Sequence, residues 1–573
     1  MRPKRPADRI HDPESQGAMP LDIPPPRTPR PNGAVPGSSS PWQKPALRQR
    51  LGTSGTFVVC VELVTSRGVI TERSGRRVMR LARGLAEHPR VDALSITDNP
   101  GGNAMLGADV LGTDLIARGQ EVIIHLSCKD WNRNALQSRG WELASNGFDN
   151  ILALSGDCPN SGFAGQARGV FDLDSVGLLD MCAQMNRGLQ VGSAAAKPRS
   201  MQPTRFFLGA VVNNYKRYER EVMPQYFKLH KKVAAGAHFI INQLGYDSSK
   251  QDELLRYMAR TGLNVPVLAN VYVLSARAAR YFHAGRIPGC FVSDKLLELT
   301  DKRSVGPDRG KQFFLEFAAR QVAVARGLGF NGTYIGGHLA YEDYARIFQI
   351  TDTFAANDWR SFASQIQFNH DDEFYFFQRD PDTGLCLDRV NPAYLASKKP
   401  EALAAQRRRV PMGYKLNRRI HATIFQRGSA GFAAAKRFYT RLARSSTRLQ
   451  KAAHRTEYAM KVLSFDCRDC GDCALPDIAY LCPESQCAKN QRNGPCGGTR
   501  DGQCEVGEKP CIWALAYERL KAYGQEEQML KGPVINQDAA LRGTSAWANT
   551  FLGRDHHARC EAPPGPDNPS VPR

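Results

Sequence analysis

The chain has 573 residues, of which 42% are hydrophobic, and its formal net charge is +21, from 77 basic and 56 acidic residues. This length allows two or three domains, and no apolar run approaches the roughly 20 residues that a membrane-spanning helix needs. The first 50 residues are rich in Pro, Arg, Ser and Gly and lack the continuous apolar stretch of a secretory signal. We therefore expect a disordered Pro/Arg-rich segment over residues 1–50, a cytoplasmic location and no membrane partner.

Short β-branched runs alternate with helix-length amphipathic stretches from residue 57 onward. The eight strand candidates are 57–63, 93–98, 121–128, 150–156, 206–213, 239–245, 265–273 and 332–337. Several are nearly continuous apolar runs, as expected of parallel strands covered on both faces. Eight such units match the usual size of a (β/α)₈ TIM barrel, so we predict an α/β fold with this barrel over residues 51–360. A doubly wound open sheet is the alternative.

Polar residues stand at the carboxyl ends of most of these strands, where chemistry takes place in barrels of this kind. They are Glu62, Thr97 with Asp98, His125, Asp157, Asn213, Gln243 and Tyr272. Each has an ordinary structural interpretation on its own, such as a helix cap or a hydrogen-bonded core histidine. Their convergence on one rim of a barrel favours a functional site.

Three segments resemble the flavin-dependent methylenetetrahydrofolate reductases: HLSC at 125–128, NILALSGD at 150–157 and KKVAAGAHFIINQLGYD at 231–247. In that family the third strand ends in a His-Leu-Thr-Cys-like segment and the fourth in Leu-Arg-Gly-Asp, and the sixth carries Thr-Gln. The three matches occur in the family's order. The resemblance implies a barrel that binds FAD at its strand ends and interconverts 5,10-methylenetetrahydrofolate and 5-methyltetrahydrofolate.

The resemblance also implies roles for individual residues. Glu62 would be the general acid, Asp157 would lie beside flavin and pterin, and Gln243 would hydrogen-bond the pterin. These three, with Tyr272, would bind the folate substrate. The FAD contacts would come from Thr97, His125, Gly156, Asp157, Lys231 and Lys232. The chemistry independently asks for an acid such as Glu62, because desolvation in an apolar strand raises a carboxyl pKa toward neutrality.

The sequence departs from the family pattern at several positions near these residues. Leu63 to Ser66 replace the usual Phe-Phe-Pro-Pro, Ser155 replaces an arginine and Asn242 replaces a threonine. The electron donor or acceptor therefore stays open between NAD(P)H and an acidic electron-carrier protein. The direction stays open too, including oxidation during methyl-group catabolism. A folate-dependent methyltransferase on the same barrel, without flavin, is the alternative function.

Residues 361–460 are predicted to form a basic helical connector. Between Ser397 and Lys461 there are 17 Lys or Arg residues and 2 Asp or Glu residues. Such an excess suits an acidic redox partner or the polyglutamate tail of folate, and a solvated basic face is the plainer interpretation. Because no nucleic-acid-binding motif accompanies the charge, no nucleic-acid partner is expected. The oligomeric state, a homo-oligomer included, is left open.

Eight of the 15 cysteines crowd into a short C-terminal stretch: Cys467, Cys470, Cys473, Cys482, Cys487, Cys496, Cys504 and Cys511. In a reducing compartment they are more typical of metal ligands than of disulfides. We predict a metal-binding domain over residues 461–525, similar to a C-terminal domain associated with such reductases in some bacteria. Two four-iron clusters, one cluster plus zinc, or zinc alone are open, with C-x₂-C-x₂-C favouring iron–sulfur. Residues 526–573 are predicted to be a disordered tail.

Overall fold

A closed barrel of eight parallel strands forms the centre of the molecule. The computed structural model describes residues 46–159, 162–192 and 199–559. Its first ten strands are β1 (Val58–Leu63), β2 (Ala93–Ile96), β3 (Glu121–Ser127), β4 (Asn150–Leu154), β5 (Gln190–Val191), β6 (Arg199–Ser200), β7 (Phe207–Val212), β8 (Phe239–Asn242), β9 (Val267–Tyr272) and β10 (Gly332–Gly336). The barrel order is β1-β10-β9-β8-β7-β4-β3-β2, and β5 and β6 form a separate antiparallel pair. The predicted TIM barrel is confirmed.

The apolar strands bury side chains on both faces, which is why they lack polar alternation. Cys60, Ile123 and Leu152 belong to a cluster that fills the barrel interior. Val59 and Ile124, one residue away from two of these, belong to the cluster between strands and surrounding helices. Successive side chains of a strand point to opposite faces, so both must be apolar when both are covered.

The helix α1 (Leu47–Gly52) lies within the segment that we expected to be disordered. Leu47 and Leu51 are buried and pack into the interior cluster of the barrel. The backbone N–H of Leu47 also donates to the Glu121 carboxylate at 3.0 Å. The two leucines at i, i+4 spacing give this short helix an apolar face that covers the barrel core. Residues 1–45 of the predicted disordered segment lie outside the described residues.

Helices follow every barrel strand and cover the outer face of the sheet. Most strands have one, and three follow β9. They are α2 (Arg73–Glu87), α3 (Ala108–Ala117), α4 (Arg133–Ser145), α5 (Ser175–Asn186), α6 (Glu219–Ala234), α7 (Ser248–Arg260), α8 (Ala276–His283), α9 (Asp294–Arg303), α10 (Lys311–Leu328) and α11 (Tyr341–Asp352). This arrangement leaves the carboxyl ends of the strands gathered at one mouth of the barrel.

The connector after the barrel is largely helical, as predicted. A short antiparallel pair of strands, β11 (Phe377–Arg379) and β12 (Cys386–Val390), comes after α12 (Asp358–Gln365). The helices that follow are α13 (Pro392–Ser397), α14 (Pro400–Arg409), α15 (Met412–Ile420), α16 (Ala430–Ala443) and α17 (Thr447–Phe465). Within the described ranges, no helix combines the length and apolar character that crossing a bilayer requires.

The cysteine-rich region consists mainly of loops and turns held against α6. Its helices are α18 (Pro483–Gln486) and α19 (Ile512–Lys521). Two polar contacts join α19 to the start of α6: the Tyr517 hydroxyl donates to Glu219 at 2.6 Å, and Arg220 pairs with Glu518 at 2.7 Å. The region therefore packs on the side of the barrel where α6 begins, next to the mouth.

The predicted disordered tail contains ordered helices up to residue 559. They are α20 (Ala546–Phe551) and α21 (His556–Arg559). Phe551 is buried in a small cluster with Tyr439 and Leu442 of α16. A carboxylate, that of Glu457, accepts hydrogen bonds from the start of α20. The expectation of disorder differs from the structure over 526–559 because these contacts come from distant segments. Residues 560–573 lie outside the described residues.

Candidate functional site

A half-buried carboxyl group, that of Glu62, stands at the mouth of the barrel. Its strand β1 places it in register with Ser95 on β2. The Tyr334 hydroxyl of β10 donates to Glu62 at 3.2 Å, and the same hydroxyl lies 3.3 Å from Nε2 of His125. Burial raises the pKa of Glu62, and the bond from Tyr334 opposes part of that rise. The result is a carboxyl group poised to hold a proton nearer to neutral pH.

His125 is linked to this carboxyl group through the Tyr334 hydroxyl. Its Nε2 lies 2.9 Å from the Ser95 hydroxyl, and burial lowers the pKa of His125 to about 4. The imidazole is therefore neutral at physiological pH and acts as a hydrogen-bonding group. Sequence reasoning did not single out Ser95 or Tyr334. The one feature of the sequence that could have identified them is a polar side chain within an otherwise apolar barrel strand.

The second predicted carboxylate, that of Asp157, lies just beyond β4. It accepts a hydrogen bond of 2.9 Å from the Gly101 backbone N–H. Gly156 beside it has a φ of 82°, and a Cβ there would come within 3.0 Å of the Lys129 side chain. Only glycine fits such a position without strain. The strand end thus needs Gly156 to present Asp157 at the mouth.

The charges of Glu62 and Asp157 both influence the pKa of one buried thiol, that of Cys290. Burial, helped by the charges of Asp157 and Glu62 and opposed by Lys216, raises the pKa of Cys290 to about 12. Burial and the Glu62 charge likewise raise the pKa of Tyr272 to about 12. Glu62 and Asp157 are therefore both near enough to Cys290 to influence its pKa, and Glu62 is near enough to Tyr272 to do the same.

The predicted pterin ligand Gln243 follows β8 at the same mouth. A Cβ added to Gly289 would lie 3.2 Å from the Gln243 amide nitrogen and 3.2 Å from the Gly497 carbonyl oxygen. Gly289 has a φ of 78°. Gln243 is thus close to the loop that contains Cys290 and to the cysteine-rich region.

The two lysines assigned to FAD lie in the last turn of α6. The buried Lys232 ammonium donates to the Val211 carbonyl oxygen of β7, and burial lowers the pKa of Lys232 to about 7. Burial also lowers the pKa of Lys231. Lys232 is thus engaged with the strand that it packs against, and the contact of either lysine with FAD stays a prediction.

Buried hydroxyl groups that follow Glu62 in the chain are typical of a ligand-binding site. Among the described residues, the hydroxyls of Thr65 and Ser66 are buried and have no hydrogen-bond partner. The Thr97 hydroxyl, at the end of β2, makes only a long bond of 3.4 Å to the Leu63 carbonyl oxygen. Buried polar groups are normally satisfied, so a bound molecule with polar ring edges, such as a flavin or a pterin, fits this position.

The cysteine-rich region reaches across the mouth of the barrel. The Gly497 carbonyl oxygen accepts from the Asn213 amide at 3.0 Å and from the Lys216 ammonium at 2.6 Å. The Lys489 ammonium donates to the Gly156 carbonyl oxygen at 2.8 Å. The NGPCGG loop (residues 493–498) is therefore fixed to the end of β7, and Lys489 fixes the same region to the strand end that presents Asp157.

The departure from the family at Ser155 has a partner in this interface. The Ser155 hydroxyl donates to the Gln491 side-chain oxygen at 3.1 Å, and the buried Lys228 ammonium donates to the same oxygen at 2.8 Å. An arginine side chain in place of Ser155 would occupy the space of this contact. The serine suits a barrel that carries the additional domain.

The eight cysteines form two separate groups of four. Within the described residues they are free thiols. The first quartet surrounds one small cavity and the second surrounds another: Cys467, Cys470, Cys473 and Cys482 form the first, and Cys487, Cys496, Cys504 and Cys511 form the second. Each quartet is contiguous in the sequence, so each loop folds around its own centre.

The sulfurs of each quartet are not drawn closely together. In the part of the chain that the structure describes, no three of these sulfurs lie within 4.8 Å of one another. A tetrahedral zinc ion with Zn–S bonds of about 2.3 Å would hold its sulfurs about 3.8 Å apart.

Backbone N–H groups and lysines surround the sulfurs. Backbone N–H donors lie 3.4 Å from the Cys467 and Cys504 sulfurs and 3.5 Å from the Cys496 sulfur. Against the effect of burial, the charges of Cys473 and Glu457 raise the pKa of Lys461, beside the first quartet. Such N–H···S bonds and positive charges stabilise thiolates and tune the potential of a bound cluster.

An open cleft of about 360 Å³ lies between the barrel and the cysteine-rich region. Its walls include Arg217 and Tyr246 from the barrel and Arg500 from the NGPCGG side, and Cys504 lines both this cleft and the second quartet. Sequence reasoning missed it because its residues come from several distant segments.

Two family models match the chain. Residues 48–322 match the model for "Methylenetetrahydrofolate reductase", and residues 446–539 match "Methylene-tetrahydrofolate reductase C terminal". Together the two matches cover more than half of the chain. No curated protein matches it.

Solved structures show only distant similarity. One is an uncharacterized protein from Clostridium thermocellum that binds two copies of 5-methyl-5,6,7,8-tetrahydrofolic acid, with 11% identity, a TM-score of 0.36, and coverage of 53% of this chain and 97% of that one. Another is 2,3-dimethylmalate lyase, with 12% identity, a TM-score of 0.29, and coverage of 50% and 77%. At these scores neither bears on the function of this chain.

Proposed function

Because this chain belongs to the methylenetetrahydrofolate reductase family, we propose that it catalyses the flavin-dependent interconversion of 5,10-methylenetetrahydrofolate and 5-methyltetrahydrofolate. The observation that carries the proposal is the half-buried Glu62 carboxyl group at the mouth of the barrel, whose pKa is raised by desolvation. The potential of the electron partner decides the direction, and oxidation of methyl groups is compatible with the site.

Glu62 performs the proton transfer in this proposal. In the reductive direction the bond between the bridging carbon and N10 breaks, N10 takes a proton from Glu62, and the carbon accepts a hydride. Bound FAD would supply the hydride chemistry. The Tyr334 hydroxyl stabilises the carboxylate that Glu62 becomes, since it donates to that oxygen. The oxidative direction reverses each transfer.

The other residues of the mouth bind and orient the two ring systems. Asp157 and Gln243 offer a carboxylate and an amide to the amine and amide edge of the pterin. Thr97, His125 and Gly156 would hold the flavin, together with the unpaired hydroxyls beside Glu62. The NGPCGG loop excludes water from one side of this mouth through its contact with Asn213.

We propose that each cysteine quartet holds a four-iron cluster. The wide sulfur spacing and the N–H···S contacts support this choice over zinc. Such clusters supply one-electron transfer. The second quartet includes Cys496, the residue before Gly497, and Gly497 contacts the mouth of the barrel. The chain thus holds a thiolate set beside the proposed flavin site.

An acidic electron carrier is the proposed partner of the basic connector. Met412, Leu416, Ile420 and Ile424 recur at i, i+4 spacing from α15 onward, and all four are exposed. Basic residues such as Lys415 and Arg419 lie among them. An apolar stripe framed by positive charge suits an acidic protein surface. Electron transfer from such a carrier should weaken steeply as salt is raised.

Analysis of protein purified without oxygen tests the proposed function. We expect bound flavin, iron and acid-labile sulfide, and oxidation of 5-methyltetrahydrofolate with an artificial electron acceptor. NADH and NADPH should be compared with a reduced acidic carrier as donors. A protein that stays colourless and refuses added FAD would contradict the proposal.

A further inference from the structure

Two adjacent histidines of the tail converge on one aspartate of the cysteine-rich region. Nε2 of His556 lies 3.1 Å and Nε2 of His557 lies 3.4 Å from the same oxygen, Oδ2 of Asp477. One ligand atom from each of the three residues lies within 4.8 Å of the others. This is the spacing of donors that share a single metal ion.

A second carboxylate orients one of the rings. Oδ1 of Asp472 lies 2.6 Å from Nδ1 of His556 and also accepts from the His556 backbone N–H at 3.1 Å. Asp472 is fully buried. A carboxylate on the far nitrogen of a histidine is the usual support for a metal-binding imidazole, because it fixes the ring and directs the other nitrogen to the ion.

An ordinary ion pair explains only part of this arrangement. The two imidazole rings lie 4.1 Å apart and both are directed to one oxygen of Asp477. Asp472 and Asp477 both face His556, but His557 shares the same Asp477 oxygen, so that a single carboxylate oxygen serves two rings. His421 is a further neighbour, since its pKa responds to Asp477 and His557. A shared divalent cation satisfies all of these donors at once.

We propose that Asp477, His556 and His557 form a mononuclear site for a divalent transition metal, with Zn²⁺ as the ion that suits it best. Two imidazole nitrogens and one carboxylate oxygen are a donor set that zinc commonly takes, with a fourth position for water or His421. The site contains no sulfur and is distinct from both quartets.

Its position gives it a structural role. Asp477 lies in the loop between Cys473 and Cys482, two members of the first quartet, and the histidines lie on α21 of the tail. A metal ion here fastens the tail to the loop that holds the first quartet. Metal binding would therefore contribute to the stability of this region directly.

Zinc titration of the holoprotein tests the site. Protein purified without oxygen is treated with a mild chelator, its iron content is checked to be unchanged, and Zn²⁺ is titrated in by calorimetry. The wild type should bind about one more equivalent of Zn²⁺ than His557→Gln. His557 is 34% exposed, so this variant should fold, and Asp477→Asn provides a second variant.

The matched control is His454→Gln. Nε2 of His454 lies 2.9 Å from Asp469, an ordinary pair in the same region without a second histidine. This variant should bind Zn²⁺ as the wild type does, and Zn²⁺ should raise its Tm equally. Equal zinc stoichiometry in wild type and His557→Gln at equal iron content would overturn the proposal.

Discussion

The Gly497 carbonyl oxygen accepts a hydrogen bond of 3.0 Å from the Asn213 amide, which joins the cysteine-rich region to the carboxyl end of barrel strand β7. Cys496, a member of the second quartet, is the residue immediately before Gly497. Asn213 follows the strand next to the one that Gln243 follows. The contact therefore joins a thiolate ligand and the rim of the proposed folate site through a few covalent bonds and one hydrogen bond.

Replacing the proposed acid should abolish chemistry without removing the flavin. We expect Glu62→Gln to lower folate turnover by about 10²- to 10⁴-fold, the usual contribution of a general acid. Flavin absorbance should stay at the wild-type level. The exposed Glu87 supplies a control, and Glu87→Gln should turn over normally. Near-normal turnover of the Glu62 variant would remove the assignment of the acid.

The hydroxyl of Tyr334 should set the pH dependence. Its bond lowers the pKa of Glu62, against the larger raising effect of burial. Tyr334→Phe removes the lowering effect, so the pKa of Glu62 rises and the protonated acid persists to higher pH. The alkaline limb of reductive kcat/KM should move to higher pH, whereas Tyr281→Phe, at an exposed tyrosine, should leave it in place. An unmoved limb would show that Tyr334 does not control the acid.

Each quartet should account for about half of the bound iron. We expect Cys470→Ser and Cys496→Ser each to remove about four iron atoms per chain if every quartet holds a four-iron cluster. Cys158→Ser, outside both quartets, should retain all of the iron. Iron and zinc are measured by mass spectrometry on protein prepared without oxygen. Stoichiometric zinc, with iron missing from the wild type, would contradict the cluster assignment.

Crowding at Gly289 should disturb the junction between the barrel and the NGPCGG loop. A Cβ at Gly289 would lie 3.2 Å from the Gln243 amide, whereas one at Gly262 would meet nothing within 4 Å. The two glycines have similar φ values of 78° and 73°, so Gly262→Ala reports the backbone strain alone, about 1–2 kcal/mol. We expect Gly289→Ala to lower folate affinity and Tm beyond that control. Equal effects of the two variants would show that the junction tolerates the methyl group.

The buried Lys489 should be essential to the stability of the cysteine-rich region. It pairs with Glu505, and its ammonium also donates to Gly156 at the rim of the mouth. Lys489→Met leaves Glu505 buried without its partner, which should cost about 3–5 kcal/mol. Thermal unfolding and iron retention measure the effect, and the exposed Lys531→Met is the control. A variant as stable as wild type would show that this pair contributes little.

The sequence predicts the parts of this molecule that depend on local patterns. The β-branched runs mark all eight barrel strands because both faces of each strand are buried. Glu62 and Asp157 could be placed at the mouth because each follows its strand directly. The partner Tyr334 could not be assigned, since its bond to Glu62 joins residues that are 272 positions apart.

Long-range packing also explains the remaining differences. In the sequence, the segments of the α1 helix and of the tail helices look polar. Their buried faces can be recognised only when the distant surfaces that they cover are known. Lys232 resembles a cofactor contact in the family pattern, and only the fold shows that its ammonium is held by the Val211 carbonyl oxygen. The cleft and the site around Asp477 combine segments that the sequence keeps far apart.

Through Lys489, damage by oxygen to the cysteine-rich region should also affect the proposed folate site. Its ammonium contacts both Glu505, a neighbour of the second quartet, and the backbone that presents Asp157. If the second quartet holds the proposed iron–sulfur cluster, an oxidant that destroys the cluster would also release this lysine from its surroundings. Exposure to air should then slow folate binding itself, and supplying electrons directly to the flavin would not restore it.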